Sequence, residues 1–507
     1  MSNLALPHVG NPHAGNESAP ATAEVTAPVL PNVPFKVSGT FSSHMVLQRE
    51  NPITVHGFSD TPGSRVAGCF MGETATTTVT EDGRWALTFA PRPYNREPQI
   101  MVISDDREHT VTFEDILIGD VWFIGGQSNA EMAMSACLPL TPSVTFDEND
   151  NFRVFRQTQV YAAQPEICAV LHEDVANPEW CWKRPDEAAC IDFSAMGWFF
   201  ANEVSKYIDI PLGLVMMAAG GACLCELWPA EIAHGEGIHQ GNLVCVGGYY
   251  NTLIHPFERT AFKGMLFFQG ESEGCFCDRA PKYAHDLALF VADERARFGR
   301  QFPFYYVQLS DYTPEAEKFW PWHDIVRIEQ FRALSIIPDS AMTVDLDLGT
   351  PEGFDDWAHS PRKMELGERL ARLILAREYG VGHVGDHSSP RPVLATLNAA
   401  GDAVTVEFAD VHTGLIVSGH SPADSYGLSV EGFSFGTYER RTPAKATLVT
   451  RHSVLVEVPE GLDPADLAQV NYAFFCHITP ENANLRGGNN LPVPAFSLPV
   501  AGAPAAN

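Results

Sequence analysis

The stretch "VWFIGGQSNAEM", residues 121–132, decides the fold class. Val121 to Ile124 form an apolar run that fits a strand buried on both faces, and Gly125 and Gly126 end it with a backbone free to turn tightly. Polar Gln127, Ser128 and Asn129 then stand where a helix is predicted to begin, with Ser128 or Asn129 suited to cap it. Taken alone this is an ordinary strand-to-helix turn. Repeated along a chain, strand, turn and helix in that order build an α/β sheet.

The unit does repeat. Compact apolar runs at 211–218 "PLGLVMMA", 262–268 "FKGMLFF", 302–309 "FPFYYVQL" and 340–348 "SAMTVDLDL" read as buried strands. Helical patterns at 194–208, 280–298, 324–335 and 361–379 lie between or after them. The alternation predicts an α/β unit over 119–388, a parallel sheet with helices on both faces in a three-layer αβα arrangement. Upstream, 35–118 alternates apolar and polar residues in short runs such as "ATTTVT" and "RWALTFA" between the turn clusters "SDTPGS" and "EDGR", which predicts an antiparallel, sandwich-like β domain. After Pro390 the pattern returns to β with "AVTVEFA", "TLVTRHSVLVEV" and "VNYAFF", so 389–507 is predicted to be a second β-rich unit. Residues 1–34 read as a flexible tail.

A chain of 507 residues exceeds what one hydrophobic core holds, which fits this division. Its 63 Asp and Glu against 33 Lys and Arg give a formal net charge of -30, a field that repels nucleic acid and anionic membrane alike. An anionic substrate would need Arg or Lys inside its own site. The N-terminal stretch lacks the basic segment and apolar core of a secretory signal, and no run approaches the length of a membrane span. With 11 scattered cysteines, an odd number that fits reduced thiols, this predicts a cytoplasmic protein. The C-x-C pairs Cys223/Cys225 and Cys275/Cys277 lack the C-x-x-C spacing and matching histidines of a zinc site, so they are expected to be small buried residues near strand ends. No metal and no cofactor are predicted.

In an open parallel sheet, ligands sit outside the carboxyl ends of the strands. The segments there are polar: "GGQSNAEM" after the first predicted strand, "AAGGACLCELW" after the second, "QGESEG" after the third and "TPEGFDDWAHSPRKMELGERL" after the fifth. Together they hold each role that acyl transfer requires. Ser128 is the candidate nucleophile, and His359 the general base that takes its proton and returns it to the leaving alkoxide. Asp356, three residues before, fits the carboxylate that fixes the imidazole tautomer. The backbone N–H of Ser128, that of Gly220 or Gly221, and the side-chain amide of Gln269 are candidate donors to an oxyanion. His255 and His323 compete for the role of base, but neither follows a sheet strand.

These blocks resemble the sialate O-acetylesterases of the SGNH/GDSL hydrolase superfamily. "MVLQRENPITVHG", "DGRWALTF", "GDVWFIGGQSNAEM", "YYNTLIHPFERTAFKGMLFFQGESEG" and "HSPRKMELGERLA" carry the resemblance, which runs from about Phe35 to Pro499. It implies Ser128 as nucleophile, His359 as base, and Gly221 or its neighbour plus Gln269 as oxyanion donors. It also implies hydrolysis of O-acetyl groups from sialic acids through a serine acyl-enzyme, with other acetylated sugars such as acetylxylan as the alternative. Where the family commonly reads D-I-H-P, "DDWAHSP" stands here, so Asp356 is expected to orient the ring, with Asp355 or Glu271 as alternatives. Asn129 is followed by Ala130 where the family usually has Met, a change expected to remove bulk beside the site and to alter acyl or sugar fit; Asn129 is itself a candidate substrate contact. A sialate carboxylate needs a guanidinium in so acidic a chain. Arg327, where the family tends to carry an arginine, and Arg279, just past the Q-G-E-S loop, are the candidates. The predicted partner is a small acetylated sugar, with no nucleic acid and no membrane. A glycosidase would leave Ser128 and His359 unexplained, and a catalytically dead carbohydrate-binding protein would have lost one of Ser128, His359 or Gln269.

Overall fold

The computed structural model describes residues 34–148, 150–156, 181–235, 246–312, 321–351, 354, 356 and 358–503. The tail expected at 1–34 lies outside them except for Pro34, and so does Asp355. At the centre is a sheet in the order Trp182–Lys183, Phe152–Arg156, Leu212–Ala218, Thr110–Gly126, Gly264–Phe268, Phe304–Gln308, Ser340–Val344. Every neighbouring pair runs parallel except the first. The chain leaves Thr110–Gly126 on one side and later crosses to Gly264–Phe268 on the other. The strand order therefore reverses beside Thr110–Gly126, and a crevice belongs at the carboxyl ends there.

All residues of Leu212–Ala218 and Gly264–Phe268 are buried, as a sheet covered on both faces requires. Trp122 packs edge-on against Phe200 of the helix Ala195–Val204, while Phe123, on the other face of the strand, meets Phe298 just beyond the helix Tyr283–Arg297. Gly367 lets the helix Lys363–Glu378 approach Ala195–Val204, because a β-carbon there would stand 2.6 Å from Phe199 Cβ.

Two features differ from the sequence reading. The boundary expected at 118/119 falls inside one continuous strand, Thr110–Gly126. Its first part pairs antiparallel with Asn95–Asp105 and its last part lies in the central sheet, so the upstream β unit and that sheet share a strand. The hydrophobic pattern changes in mid-strand, from alternating to continuously buried, with no turn to mark it. The strand Phe152–Arg156 was not expected at all. Its sequence FRVFR conceals a buried position, since Arg153 donates to the carbonyls of Phe152 and Asp150 and lies 3.6 Å from Asp115.

Downstream, an eight-stranded sheet places Phe496–Ala501 between Gln469–Tyr472 and Arg391–Leu397. It is joined to the central sheet where Gln308, at the end of its strand, exchanges hydrogen bonds of 2.9 and 3.0 Å with the Ala495 backbone. Among the described residues, no helix is long and apolar enough to cross a membrane.

Candidate active site

The serine turn is forced by its surroundings. Gly126 has φ 123°, and a β-carbon on it would stand 2.0 Å from the Phe268 carbonyl oxygen, so only glycine fits. The Gln127 N–H then donates to that carbonyl at 3.0 Å, which sets Ser128 at the carboxyl edge of the sheet. The helix that follows is one turn, Ser128–Glu131. So short a helix has little macrodipole, and any anion bound here depends on individual N–H groups.

Ser128 Oγ lies 2.8 Å from His359 Nε2. On the far side of the ring, Nδ1 lies 2.9 Å from Asp356 Oδ2 and 3.1 Å from Oδ1. Asp356 also accepts the backbone N–H groups of Ala358 and His359, at 2.9 and 3.0 Å. Burial pushes its carboxyl up, but the imidazole bond and these N–H groups outweigh that and hold it below the usual aspartate value. An ionised Asp356 keeps the proton on Nδ1 and leaves Nε2 as the acceptor for Ser128. The arrangement can deprotonate an attacking hydroxyl and return the proton to a leaving group.

Other sequence candidates have different partners. Glu271 does not reach the imidazole: its Oε1 accepts from Asn129 Nδ2 at 2.6 Å and from the Tyr312 hydroxyl at 2.9 Å. Asn129, expected at the substrate, is instead a buried clamp. Its amide also donates to the Ala358 carbonyl at 3.1 Å, and its Oδ1 accepts from Lys363 Nζ at 2.8 Å, so it ties the serine turn to the histidine loop. Gln269 is buried, with its Nε2 directed at the Ala222 carbonyl, Gln127 Oε1 and the Glu273 carboxylate, and its Oε1 accepting from Tyr283. Those bonds engage both amide protons, so Gln269 braces three loops and is not free as an oxyanion donor. The Gly220 N–H donates to Glu131 Oε2 at 2.9 Å, and Gly221 adopts φ 74° with its carbonyl accepting from Ser272 Oγ.

The arginines are corrected as well. Arg327 is fully buried and donates to the carbonyls of Leu309, Ser310, Phe475 and Cys476, so it cannot receive a substrate carboxylate. Arg279 lies with Nη1 3.5 Å from Cys225 Sγ and its guanidinium over the Phe276 ring. Cys223 and Cys225 are buried as expected, whereas Cys275 is only partly buried and Cys277 is exposed. His323 stacks on Tyr312 and His255 pairs with Glu258, so His359 is the ring that meets Ser128. Sequence reasoning missed Lys363 and Glu131. Nothing distinguishes Lys363 from a surface lysine in the first turn of a helix, but Glu131 was accessible from its spacing, three residues beyond Ser128 on one turn.

A family profile described as "Carbohydrate esterase, sialic acid-specific acetylesterase" matches residues 118–376, a span that contains Ser128, Gly220, Gln269 and His359. The human protein named sialate O-acetylesterase is 23% identical over 382 residues, covering 68% of this chain and 71% of its own length. Its mouse counterpart is 24% identical over 413 residues, covering 68% and 74%. A solved structure of a carbohydrate acetylesterase from Xanthomonas citri superposes with a TM-score of 0.75 at 25% identity, over 92% of this chain and 99% of its own.

Proposed function

The chain belongs to the sialic acid-specific acetylesterase family of carbohydrate esterases and is an esterase, and from that premise we propose that it removes O-acetyl groups from sialic acids through an acyl-enzyme on Ser128. The observation that carries the proposal is the hydrogen-bonded line from Ser128 Oγ through His359 to Asp356, 2.8 and 2.9 Å. In this reading the catalytic unit is the three-layer αβα arrangement around the parallel sheet, flanked by β-rich units on either side. Ser128 Oγ adds to the acetyl carbonyl carbon as its proton passes to His359 Nε2. The sugar oxygen then leaves with that proton. Water, deprotonated by the same nitrogen, attacks the acetyl-serine, and acetate is released. In this reading the oxyanion donors are the N–H of Ser128 and an N–H of the Gly220–Gly221 turn, that of Gly220 only once it leaves Glu131 Oε2, each worth on the order of 3 kcal/mol when aimed at the transition state.

A second reading keeps the chemistry and changes the sugar. Arg327 is committed to carbonyls and Arg279 to Cys225, which favours a neutral acetylated saccharide over one that carries a carboxylate. Acetate release from O-acetylated sialic acids and from acetylated xylan, followed with wild-type protein and Ser128→Ala, tests both. Preference for the sialate supports the first reading and preference for xylan the second. Undiminished release from either by the alanine variant would remove the serine mechanism.

A further inference from the structure

Glu131 stands three residues beyond Ser128 on the same turn, and its Oε2 holds the Gly220 N–H at 2.9 Å. A β-carbon built on Gly220 would lie 3.4 Å from that oxygen and 3.8 Å from Ser128 Cβ, so this glycine borders the carboxylate and the nucleophile together. The N–H suited to an oxyanion beside Ser128 is thus occupied by an anion of the chain's own. Two negative oxygens cannot share one N–H at such separation without strong repulsion, so the carboxylate must move before an ester oxygen takes its place. Glu131 is only partly buried, Gly220 is exposed, and no other hydrogen bond holds the Glu131 side chain among the described residues.

We propose that Glu131 is a specificity-determining residue that covers the Gly220 N–H in the empty enzyme and releases it when a sugar hydroxyl beside the acetyl group donates to its carboxylate. The hydroxyl replaces the hydrogen bond that the carboxylate gives up, and the freed N–H receives the carbonyl oxygen. An ester without a neighbouring hydroxyl has nothing to offer in exchange and meets a covered donor. The inference rests on the acyl-enzyme reading above and adds to it the class of substrate that opens the site, a polyhydroxylated acetyl ester.

Wild type, Glu131→Ala, Glu131→Gln and Ser128→Ala are assayed on a mono-O-acetylated sugar with free neighbouring hydroxyls and on 4-nitrophenyl acetate. Glu131→Ala is expected to raise kcat/KM for the nitrophenyl ester several-fold while lowering it for the sugar ester by about tenfold, the size of one lost hydrogen bond to a charged group. Glu131→Gln should fall between the two. An unchanged ratio of the two substrates in both Glu131 variants, or an equal loss on both, overturns the proposal. Ser128→Ala separates the two levels: if it is inactive and the ratio does not move, the specificity inference alone fails, and if it stays active the acyl-enzyme reading fails with it.

Discussion

Asp356 is the only carboxylate among the described residues bonded to the His359 ring, and this decides how the two should respond to mutation. With Glu271 held by Asn129 and Tyr312, nothing described can substitute for it. Asp356→Asn is therefore expected to lower kcat on a simple acetyl ester by about 10³- to 10⁴-fold, because an amide facing Nδ1 favours the wrong tautomer. His359→Ala should be similar, and the double change with Ser128→Ala little worse than either alone, as measured by kcat for purified folded variants. An Asp356→Asn loss below tenfold would assign the orienting role elsewhere. That Ser128, His359 and Asp356 meet was legible because the ends of parallel strands concentrate polar side chains. Asn129, Gln269 and Arg327 were misread because residue type states which bonds a side chain can make, and only the fold determines which partners it is offered.

A clamp holds the serine turn and the histidine loop together. Lys363 opens the helix Lys363–Glu378 and, fully enclosed, passes the one described hydrogen bond of its ammonium to Asn129, which reaches the Ala358 carbonyl just before His359. Burial lowers the lysine and the neighbouring charge of Asp345 partly restores it. Lys363→Met is expected to lower kcat by about 10- to 100-fold with little change in KM, since it loosens the relation of Ser128 to His359 without touching substrate. Equal changes in kcat and KM would contradict that role. Asp345 gives a pH test. Burial pushes its carboxyl from 3.8 up to about 7, so the folded chain keeps a proton that the unfolded chain has lost, and its contribution to stability falls as pH rises through that window. The melting-temperature gain of Asp345→Asn over wild type should thus grow from pH 5 to pH 8, and a gain that shrinks would show the carboxylate to be ionised and paired. The helix itself was readable from its apolar period. A lysine at its first turn looks like a surface residue until the sheet edge closes over it.

Arg327 ties the central sheet to the segment that follows the strand Gln469–Tyr472. It sits on the helix His323–Ala333 and bonds carbonyls of Leu309 and Ser310, past a strand of the central sheet, and of Phe475 and Cys476 in the downstream β unit. Arg327→Ala would leave the buried carbonyls of Leu309 and Ser310 and the half-buried ones of Phe475 and Cys476 without this partner and is expected to cost about 3–5 kcal/mol of stability, with activity on charged and neutral esters falling alike. A selective loss on sialate would return the arginine to the substrate. The pattern "DIVRIEQF" held a hint, because Arg327 lies among apolar positions of the helix. What could not be read was the carbonyl edge from a segment about 150 residues away that makes burying a guanidinium tolerable. The shared strand Thr110–Gly126 is a similar case, since a fall in polarity without a turn looks like a boundary until both ends of the strand find neighbours.

In the proposed reaction Ser128 carries the acetyl group during turnover. This is tested most directly by quenching the enzyme in acid while it turns over 4-nitrophenyl acetate and mapping the acetylated peptide by mass spectrometry. An acetyl group is expected on Ser128 in the peptide containing "GGQSNAEM", absent from Ser128→Ala. An active enzyme with no acetylated peptide, or with the label on another residue, would contradict it.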